Sequence, residues 1–275
     1  MRGIHHDKPP QTGPGPARRQ IRVRYGGLRE AAPGYVRHVA CIDGVEGYPD
    51  IWFMTPDDVQ PVTEDWLLPV ASVIGMVEGD DVHVDGRVRP RLLAALEGIQ
   101  EVTLQRERGV RSARITAEET VNREPVTPAR TLCCLSLGVD SLYSALDPSE
   151  SVDELLYVHG FEARVRDERQ LLIVLPHVKD VATELGKSLR LVETNWLDVT
   201  APRVGHTWFL AMPMLFAVAY LMESSISRLV VPATHDVYYA PDDPASASSF
   251  VSSWSTESVE LLEHGHPTRL AKIRT

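Results

Sequence analysis

The sequence predicts an α/β fold in which a small α+β domain precedes a parallel, doubly wound sheet. With 275 residues, 43% of them hydrophobic, the chain is long enough for one large or two modest domains. From about residue 130 onward, short apolar segments alternate with helical ones, as in buried parallel strands whose sheet is covered by helices on both faces. Before that point, strand-like segments flank a helical stretch, which is typical of an α+β domain.

The composition divides the chain into four parts. Residues 1–20 contain four prolines and three glycines, lack the apolar segment of a signal peptide, and are predicted to be a disordered leader. Residues 21–117 form the small α+β domain. Residues 118–129 are polar, include two prolines and are predicted to be a linker. Residues 130–275 form the doubly wound domain.

In the small domain, the spacing of apolar residues predicts the elements. Apolar segments, several with alternating polar residues, predict strands at residues 21–25, 36–42, 50–54, 82–84 and 110–115. An apolar segment and a segment with helical spacing predict helices at residues 67–76 and 91–101. Asp85 and Gly86 are a turn signal that ends the fourth of these strands.

In the doubly wound domain, predicted strands and helices alternate along the chain. Apolar strands are predicted at residues 131–135, 154–158, 189–193 and 228–232. Helices are predicted at residues 142–146, 167–186 and 207–224. Polar residues follow each strand, at residues 136–141, 159–162, 193–195 and 234–236. Because parallel sheets bind ligands at the carboxyl ends of their strands, these polar groups predict a binding crevice.

The turn at residues 136–141 has the composition of an anion site. A helix that starts after a strand presents unpaired N–H groups and the positive end of its dipole. Gly138 allows the backbone to approach a phosphate, and Ser136 and Ser141 can donate hydrogen bonds to it. Asp140 would repel a phosphate unless a cation lay between them, which predicts Mg²⁺ at this carboxylate.

These six residues resemble the Ser-Gly-Gly-x-Asp-Ser signature of the PP-loop ATP pyrophosphatases, a family with a Rossmann-like fold. Five of the six positions match, and Leu137 stands where the signature has its first glycine. Residues from about 60 to 275 are similar to uncharacterised relatives of 7-cyano-7-deazaguanine synthase. Segments that carry this similarity are residues 87–100, 157–162, 232–235, 254–257 and 269–273. Such relatives usually continue with a zinc-binding cysteine cluster, so we expect either a piece of a longer chain or the loss of that part.

The resemblance implies ATP and Mg²⁺ as cofactors and assigns roles to individual residues. The ATP-binding residues are Ser136, Leu137, Gly138, Val139, Asp140, Ser141, His159, Gly160 and Phe161, the last three packing on adenine. The metal ligand is Asp140. The catalytic residues are Asp140, Ser141 and His235. His159 as an ordinary turn histidine and His235 as part of a helix cap remain alternatives.

The implied activity is that of an adenylating ligase acting on a small-molecule substrate. A carboxylate or amide oxygen attacks the α-phosphorus of ATP, pyrophosphate leaves, and a nitrogen nucleophile then displaces AMP. Sulfur is the less favoured nucleophile, because Cys133 and Cys134 lie within a strand. The alternative is a catalytically impaired, nucleotide-binding regulatory or partner subunit. A dinucleotide-dependent oxidoreductase is disfavoured, since no Gly-x-Gly-x-x-Gly turn follows a strand.

The charge and hydropathy of the sequence argue against nucleic acid and membranes as partners. A net charge of −10 disfavours nucleic acid as the main partner. The longest apolar segment, residues 208–222, is shorter than the roughly 20 residues that span a bilayer, so no membrane association is expected. Three cysteines without an evident pairing indicate a reducing compartment, and a cytoplasmic protein, with a homodimer as an open possibility.

Overall fold

A computed structural model describes residues 18–122, 130–205, 207–233 and 247–274 of the chain. The strands in these ranges are β1 (Gln20–Glu30), β2 (Tyr35–Asp43), β3 (Ile51–Pro56), β4 (Asp81–Val88), β5 (Ile115–Thr120), β6 (Thr131–Cys134), β7 (Glu154–His159), β8 (Ser188–Thr194), β9 (Arg228–Pro232) and β10 (Glu260–His264). The α-helices are α1 (Leu67–Glu78), α2 (Pro90–Arg106), α3 (Val139–Leu146), α4 (Glu168–Glu184), α5 (Trp196–Val204), α6 (Trp208–Leu221), α7 (Ala247–Ser253) and α8 (Arg269–Arg274).

The described strands form one mixed sheet in the order β10-β9-β6-β7-β8-β3-β2-β1-β4-β5. The five strands from β10 to β8 are all parallel. β3 pairs antiparallel with β8 and β2, and β2 pairs antiparallel with β1. The α/β class is therefore confirmed, but the sheet is mixed and not wholly parallel. The loops that join β1, β2 and β3 are too short for the crossover that parallel neighbours require.

Strands from both predicted domains belong to this single sheet. Phe53 of β3 pairs with Thr194 of β8. Beside this pair, Asn195 accepts a hydrogen bond from the Trp52 amide at 2.8 Å and donates one to the Asp50 carbonyl at 2.8 Å. The division at residues 118–129 stays a prediction, although the backbone hydrogen bonding runs continuously from one region into the other.

Helices cover both faces of the parallel half of the sheet. Leu132, Leu156 and Leu229 face a large core shared with α1, α2, α5, α6 and α7. Cys133, Leu155 and Val230, each one position away, face a smaller core with α3 and α4. Such double burial explains why these strands are apolar on both sides. β1 instead alternates buried and exposed residues, with Arg22 and Arg24 paired to acidic side chains in solvent.

Several predicted boundaries are corrected. β5 begins at Ile115 and continues to Thr120, into the predicted linker, whereas residues 110–114 are not a strand. The side chain of Gln100 accepts from the Ala113 amide at 2.8 Å and donates to its carbonyl at 3.0 Å, so these groups are not free for a ladder. Asp85 and Gly86 do not end β4, because they lie in an irregularity of its pairing with β5.

Other elements start earlier than predicted or escaped prediction. α3 begins at Val139, three residues before the predicted start, and the sequence patterns missed α5, α7, β10 and α8. β1 starts at Gln20, the last residue of the predicted leader, whose residues 1–17 lie outside the described ranges. Residues 123–129 of the predicted linker also lie outside them.

Candidate functional site

A cavity lies at the carboxyl ends of β6, β7 and β9. Along the chain, β6 is followed by β7 on one side, whereas β9 lies on its other side, so the strand order reverses between β6 and β9. Open α/β sheets bind ligands at such a reversal. The cavity has a volume of about 420 Å³, within the usual range for small-molecule sites. Its walls come from the turn after β6, from residues 159–163, from α6 and from Arg269.

The turn after β6 forms the floor of one end of the cavity. Gly138 is the N-cap of α3 and no side chain caps this helix, so the first-turn N–H groups have no partner within the helix. Ser141 Oγ accepts a hydrogen bond from the Ser136 amide at 3.1 Å and donates to the Gly138 carbonyl at 2.9 Å. The Oγ atoms of Ser136 and Ser141 lie 3.3 Å apart. The two serines thus hold the turn in shape and present an uncapped helix N-terminus.

Leu137 has a left-handed backbone conformation, with φ at +65°. Such a conformation costs a leucine about 1–2 kcal/mol and a glycine almost nothing, which is the physical reason why a glycine suits this position. The Leu137 side chain packs with the smaller core and does not line the cavity, whereas Ser136, Gly138, Val139, Asp140 and Ser141 do. The leucine therefore strains the turn without filling the cavity.

Asp140 is held by two cations from α8. Lys272 Nζ lies 2.6 Å from Asp140 Oδ1 and also donates to the Ala233 carbonyl at 2.8 Å. Arg269 donates to Asp140 Oδ2 from Nε at 3.2 Å and from Nη2 at 3.1 Å. The Lys272 side chain is 1% exposed and that of Arg269 is 65% exposed. We call these three residues the Asp140 cluster. It carries a formal charge of +1, from one carboxylate and two cations.

Asp140 does not offer a free oxygen to Mg²⁺, because each oxygen already accepts from a cationic side chain. Within the described residues, no three acidic, histidine or cysteine side chains are grouped to hold a metal ion. Mg²⁺ in nucleotide sites is usually bound by one or two free carboxylates together with the phosphates and waters. These side chains therefore do not fit a magnesium ion at Asp140.

The residues expected to pack on adenine line the same cavity. Gly160 has φ at +108°, and a Cβ atom there would lie 1.9 Å from the Thr194 carbonyl oxygen, so only glycine fits. Phe161 is half-buried on the cavity wall. His159 is 2% exposed and its Nε2 atom donates to the Val165 carbonyl at 3.1 Å, as expected of a structural turn histidine.

His235 lies outside the described residues, in the segment 234–246. Its catalytic assignment stays a prediction. The carbonyl of Ala233, the last described residue before this segment, accepts a hydrogen bond from Lys272 at 2.8 Å.

Other side chains on the cavity wall were assigned no individual role from the sequence. Trp208 and Met212 of α6 supply an apolar wall, whose residues gave no signal beyond a buried helix. Glu162 and Tyr157 supply the polar groups on β7 and its following loop. Burial raises the pKa of the Glu162 carboxyl group. Burial, and then the charge of Glu162, raises the pKa of the Tyr157 hydroxyl group. Arg269 and Lys272 lie in the segment 269–273 that carries part of the resemblance, but the sequence assigned neither of them a role.

A second group resembles a catalytic triad but is closed to substrates. His264 Nδ1 lies 3.1 Å from Ser144 Oγ, and His264 Nε2 lies 3.2 Å from Asp147 Oδ2. Ser144 is completely buried, so no substrate can reach its hydroxyl. The group is a structural tie between α3 and β10.

The described helices include none whose length and hydropathy would allow it to cross a bilayer. Comparison with protein-family models, with curated proteins and with solved structures gave no match.

Proposed function

We propose that this protein binds ATP in the cavity at the carboxyl edge of the sheet and uses it to adenylate a small molecule. The observation that carries the proposal is the uncapped N-terminus of α3, which lies beside the positively charged Asp140 cluster on a cavity of nucleotide size. A helix N-terminus and a nearby arginine are the groups that proteins use most often for phosphates.

The order of the five parallel strands supports a Rossmann-like, PP-loop type of fold. In β10-β9-β6-β7-β8, the first strand along the chain is central and later strands are added on both sides, which is the doubly wound order. In our proposal the phosphates lie on the turn after β6, and the base lies against the apolar wall. Phe161, Trp208 and Met212 give that wall the aromatic and apolar surface that a purine would cover.

The proposed chemistry is nucleotidyl transfer. An oxygen of a carboxylate or amide forms a bond to the α-phosphorus, the bond from that phosphorus to the bridging oxygen breaks, and pyrophosphate leaves with the electron pair. A nitrogen nucleophile then attacks the activated carbon, releases AMP and loses a proton. Ser136, Gly138 and Ser141 would hold the leaving pyrophosphate, and His235 remains the predicted acid–base residue. Protein groups contribute mainly by positioning and charge neutralisation.

Calorimetric titration with ATP tests this proposal. We expect micromolar binding by the unaltered protein, and binding about tenfold weaker in Ser141→Ala, which removes the hydroxyl that braces the turn. Ser149→Ala, an exposed serine outside the cavity, is the matched control and should bind like the unaltered protein. Absence of ATP binding by a folded protein would overturn the proposal.

The second candidate is nucleotide binding without turnover, in a regulatory or partner subunit. One observation favours it: both oxygens of Asp140 are engaged by α8, so the carboxylate predicted to hold the metal is occupied. ATP–pyrophosphate exchange in the presence of a panel of small carboxylates and amides separates the candidates. Exchange would support the enzyme, and tight binding without exchange would support the subunit. The small-molecule substrate, the cytoplasmic location and a homodimer remain predictions.

A further inference from the structure

We propose that Arg269 of α8, in place of a protein-held magnesium ion, receives the phosphate groups at this turn, so that polyphosphates bind without a divalent cation. The inference rests on the proposed function, because it assumes that phosphates occupy the turn after β6. It names Arg269 as a phosphate-binding residue and Lys272 as the residue that positions Asp140.

The first step of the argument concerns Asp140. Its two oxygens accept from Lys272 at 2.6 Å and from Arg269 at 3.1 and 3.2 Å. A metal ion at either oxygen would have to share that oxygen with a cation or displace it, and in both cases would remain near that cation. Like charges at such distances repel strongly where water is scarce, and Asp140 is only 7% exposed.

The second step concerns Lys272, which cannot easily leave. Its ammonium group is enclosed, and its two described partners, Asp140 and the Ala233 carbonyl, come from different elements. Tyr143 places its ring 5.9 Å from the same ammonium group. Separating a buried charge from its partner is strongly unfavourable, so this ion pair is expected to persist when a ligand binds.

The third step concerns Arg269, which has hydrogen-bonding capacity left. Nε and Nη2 donate to a single oxygen of Asp140, and Nη1 has no partner among the described residues. Its side chain is 65% exposed and lines the cavity. A guanidinium fixed on one side by a carboxylate and open on the other is well placed to bind a phosphate oxygen.

The fourth step is the charge balance. The Asp140 cluster has a formal charge of +1, and the dipole of α3 adds further positive potential at the same place. Asp140 thus orients the guanidinium, while the net charge still attracts an anion. No magnesium ion is needed to offset the negative charge of Asp140 at the turn.

The test is calorimetric titration with ATP and with inorganic triphosphate, each in excess Mg²⁺ and in EDTA. We expect both ligands to bind in EDTA with affinities within about fivefold of those in Mg²⁺. Arg269→Gln should weaken binding in EDTA by about 10-fold to 100-fold, the effect of losing a charge-assisted hydrogen bond. Arg274→Gln, with the same charge change on the same helix but away from the cavity, should bind like the unaltered protein.

The outcomes separate the two proposals. Binding in Mg²⁺ that disappears in EDTA would overturn the inference and leave the proposed function standing. Absence of binding in both conditions would overturn both. An Arg269→Gln variant that binds normally in EDTA would overturn the assignment of Arg269.

A second variant tests the role of Asp140 directly. Asp140→Asn removes the negative charge and leaves both cations in place. If the carboxylate held Mg²⁺, this variant would lose affinity for ATP. If α8 receives the phosphates, inorganic triphosphate should bind in EDTA at least as tightly as to the unaltered protein, with thermal unfolding measured to confirm that the variant is folded.

Discussion

Two ionic clusters in this molecule contain the same types of charged side chain but differ in burial and in net charge. In the first, Arg89 lies between Asp65 and Glu223, and we call these three residues the Arg89 cluster. The Arg89 amide donates to Asp65 at 2.7 Å, and its guanidinium is 2.7 Å from Glu223. All three side chains are at most 2% exposed. The Asp140 cluster reverses the ratio, with one carboxylate and two cations, one of which, Arg269, is open to a cavity.

The difference between the clusters lies in access and in the sign of the charge. The Arg89 cluster is closed, with a further hydrogen bond from Arg89 to Ser258 at 2.9 Å, and it joins the regions before and after the predicted linker. Its formal charge is −1, and burial raises the pKa of both of its carboxyl groups. It has nothing to offer a ligand. The Asp140 cluster keeps unused donors and positive charge at a cavity, so its members can act on an anion.

The largest expected effect is the loss of stability when the Arg89 cluster is broken. Arg89→Met leaves two carboxylates buried without their cation and should lower the free energy of unfolding by about 3–5 kcal/mol, measured by urea denaturation. Arg87→Met, on an exposed side chain two residues earlier, should change it by less than about 0.5 kcal/mol. A loss below about 1 kcal/mol in Arg89→Met would mean that the cluster is not the closed structural element described above.

A buried histidine gives the same region a pH dependence. Thr55 Oγ1 donates to the Pro56 carbonyl, so it accepts from His38 Nε2, at 3.1 Å. Tyr25 lies 3.3 Å from Nδ1 and can donate to it, which satisfies the neutral ring. Burial lowers the pKa of His38 to about 4 from the usual 6.5.

Stability should therefore fall as the pH is lowered from 6.5 to 4. In that window the unfolded chain binds a proton at residue 38 and the folded chain does not, so stability rises with pH and is lost on acidification. The contribution is about 3 kcal/mol between pH 7 and pH 4. Urea denaturation across this range should show a smaller loss in His38→Gln than in the unaltered protein. The exposed control His177→Gln should keep the full loss, and equal slopes in all three would contradict the assignment.

A smaller effect concerns the backbone strain at Leu137, which lies in the same turn as Asp140. Glycine is usually less stable than alanine within regular structure, but at a left-handed position the order reverses. Leu137→Gly should therefore be more stable than Leu137→Ala by about 1 kcal/mol in thermal unfolding, since both variants lose the same packing. Alanine equal to or better than glycine would show that the turn is not held in the left-handed conformation.

The sequence predicted the parallel half of the fold better than the other half. β6, β7 and β9 are largely buried on both faces, and the apolar segments marked these three strands and β8 to within two residues. The antiparallel attachment of β3 to β8 depends on a pairing between residues about 140 apart, and local patterns contain no signal for it. β5 was displaced because Gln100, a side chain on another element, occupies the backbone groups of Ala113.

The candidate site also has one part that the sequence predicts and one part that it does not. The turn after β6 could be predicted, since its residues are adjacent in the chain and the chemistry of a helix N-terminus is local. The partners of Asp140 could not be predicted from local patterns, because Arg269 and Lys272 come from a helix about 130 residues later. Because these cations could not be foreseen from the sequence, the neutralisation of the charge on Asp140 and the phosphates was assigned to Mg²⁺. Leu137 looked like a departure within the site, but its side chain belongs to the core.

The smallest expected effect tests whether the cavity has a positive and a negative end. Glu162 lies on the cavity wall just after β7, and its negative charge opposes an anionic ligand in the same cavity. Glu162→Gln should therefore strengthen ATP binding by roughly twofold to fivefold at pH 7.5. Because burial raises the pKa of Glu162, the advantage of the variant should already shrink at a pH above the usual range of a glutamate. Glu168→Gln, on the first turn of α4 and outside the cavity, is the control for overall charge. If Glu162→Gln instead weakened binding, Glu162 would have to accept a hydrogen bond from the ligand, and the cavity would be selecting a donor at that end and not merely tolerating a carboxylate.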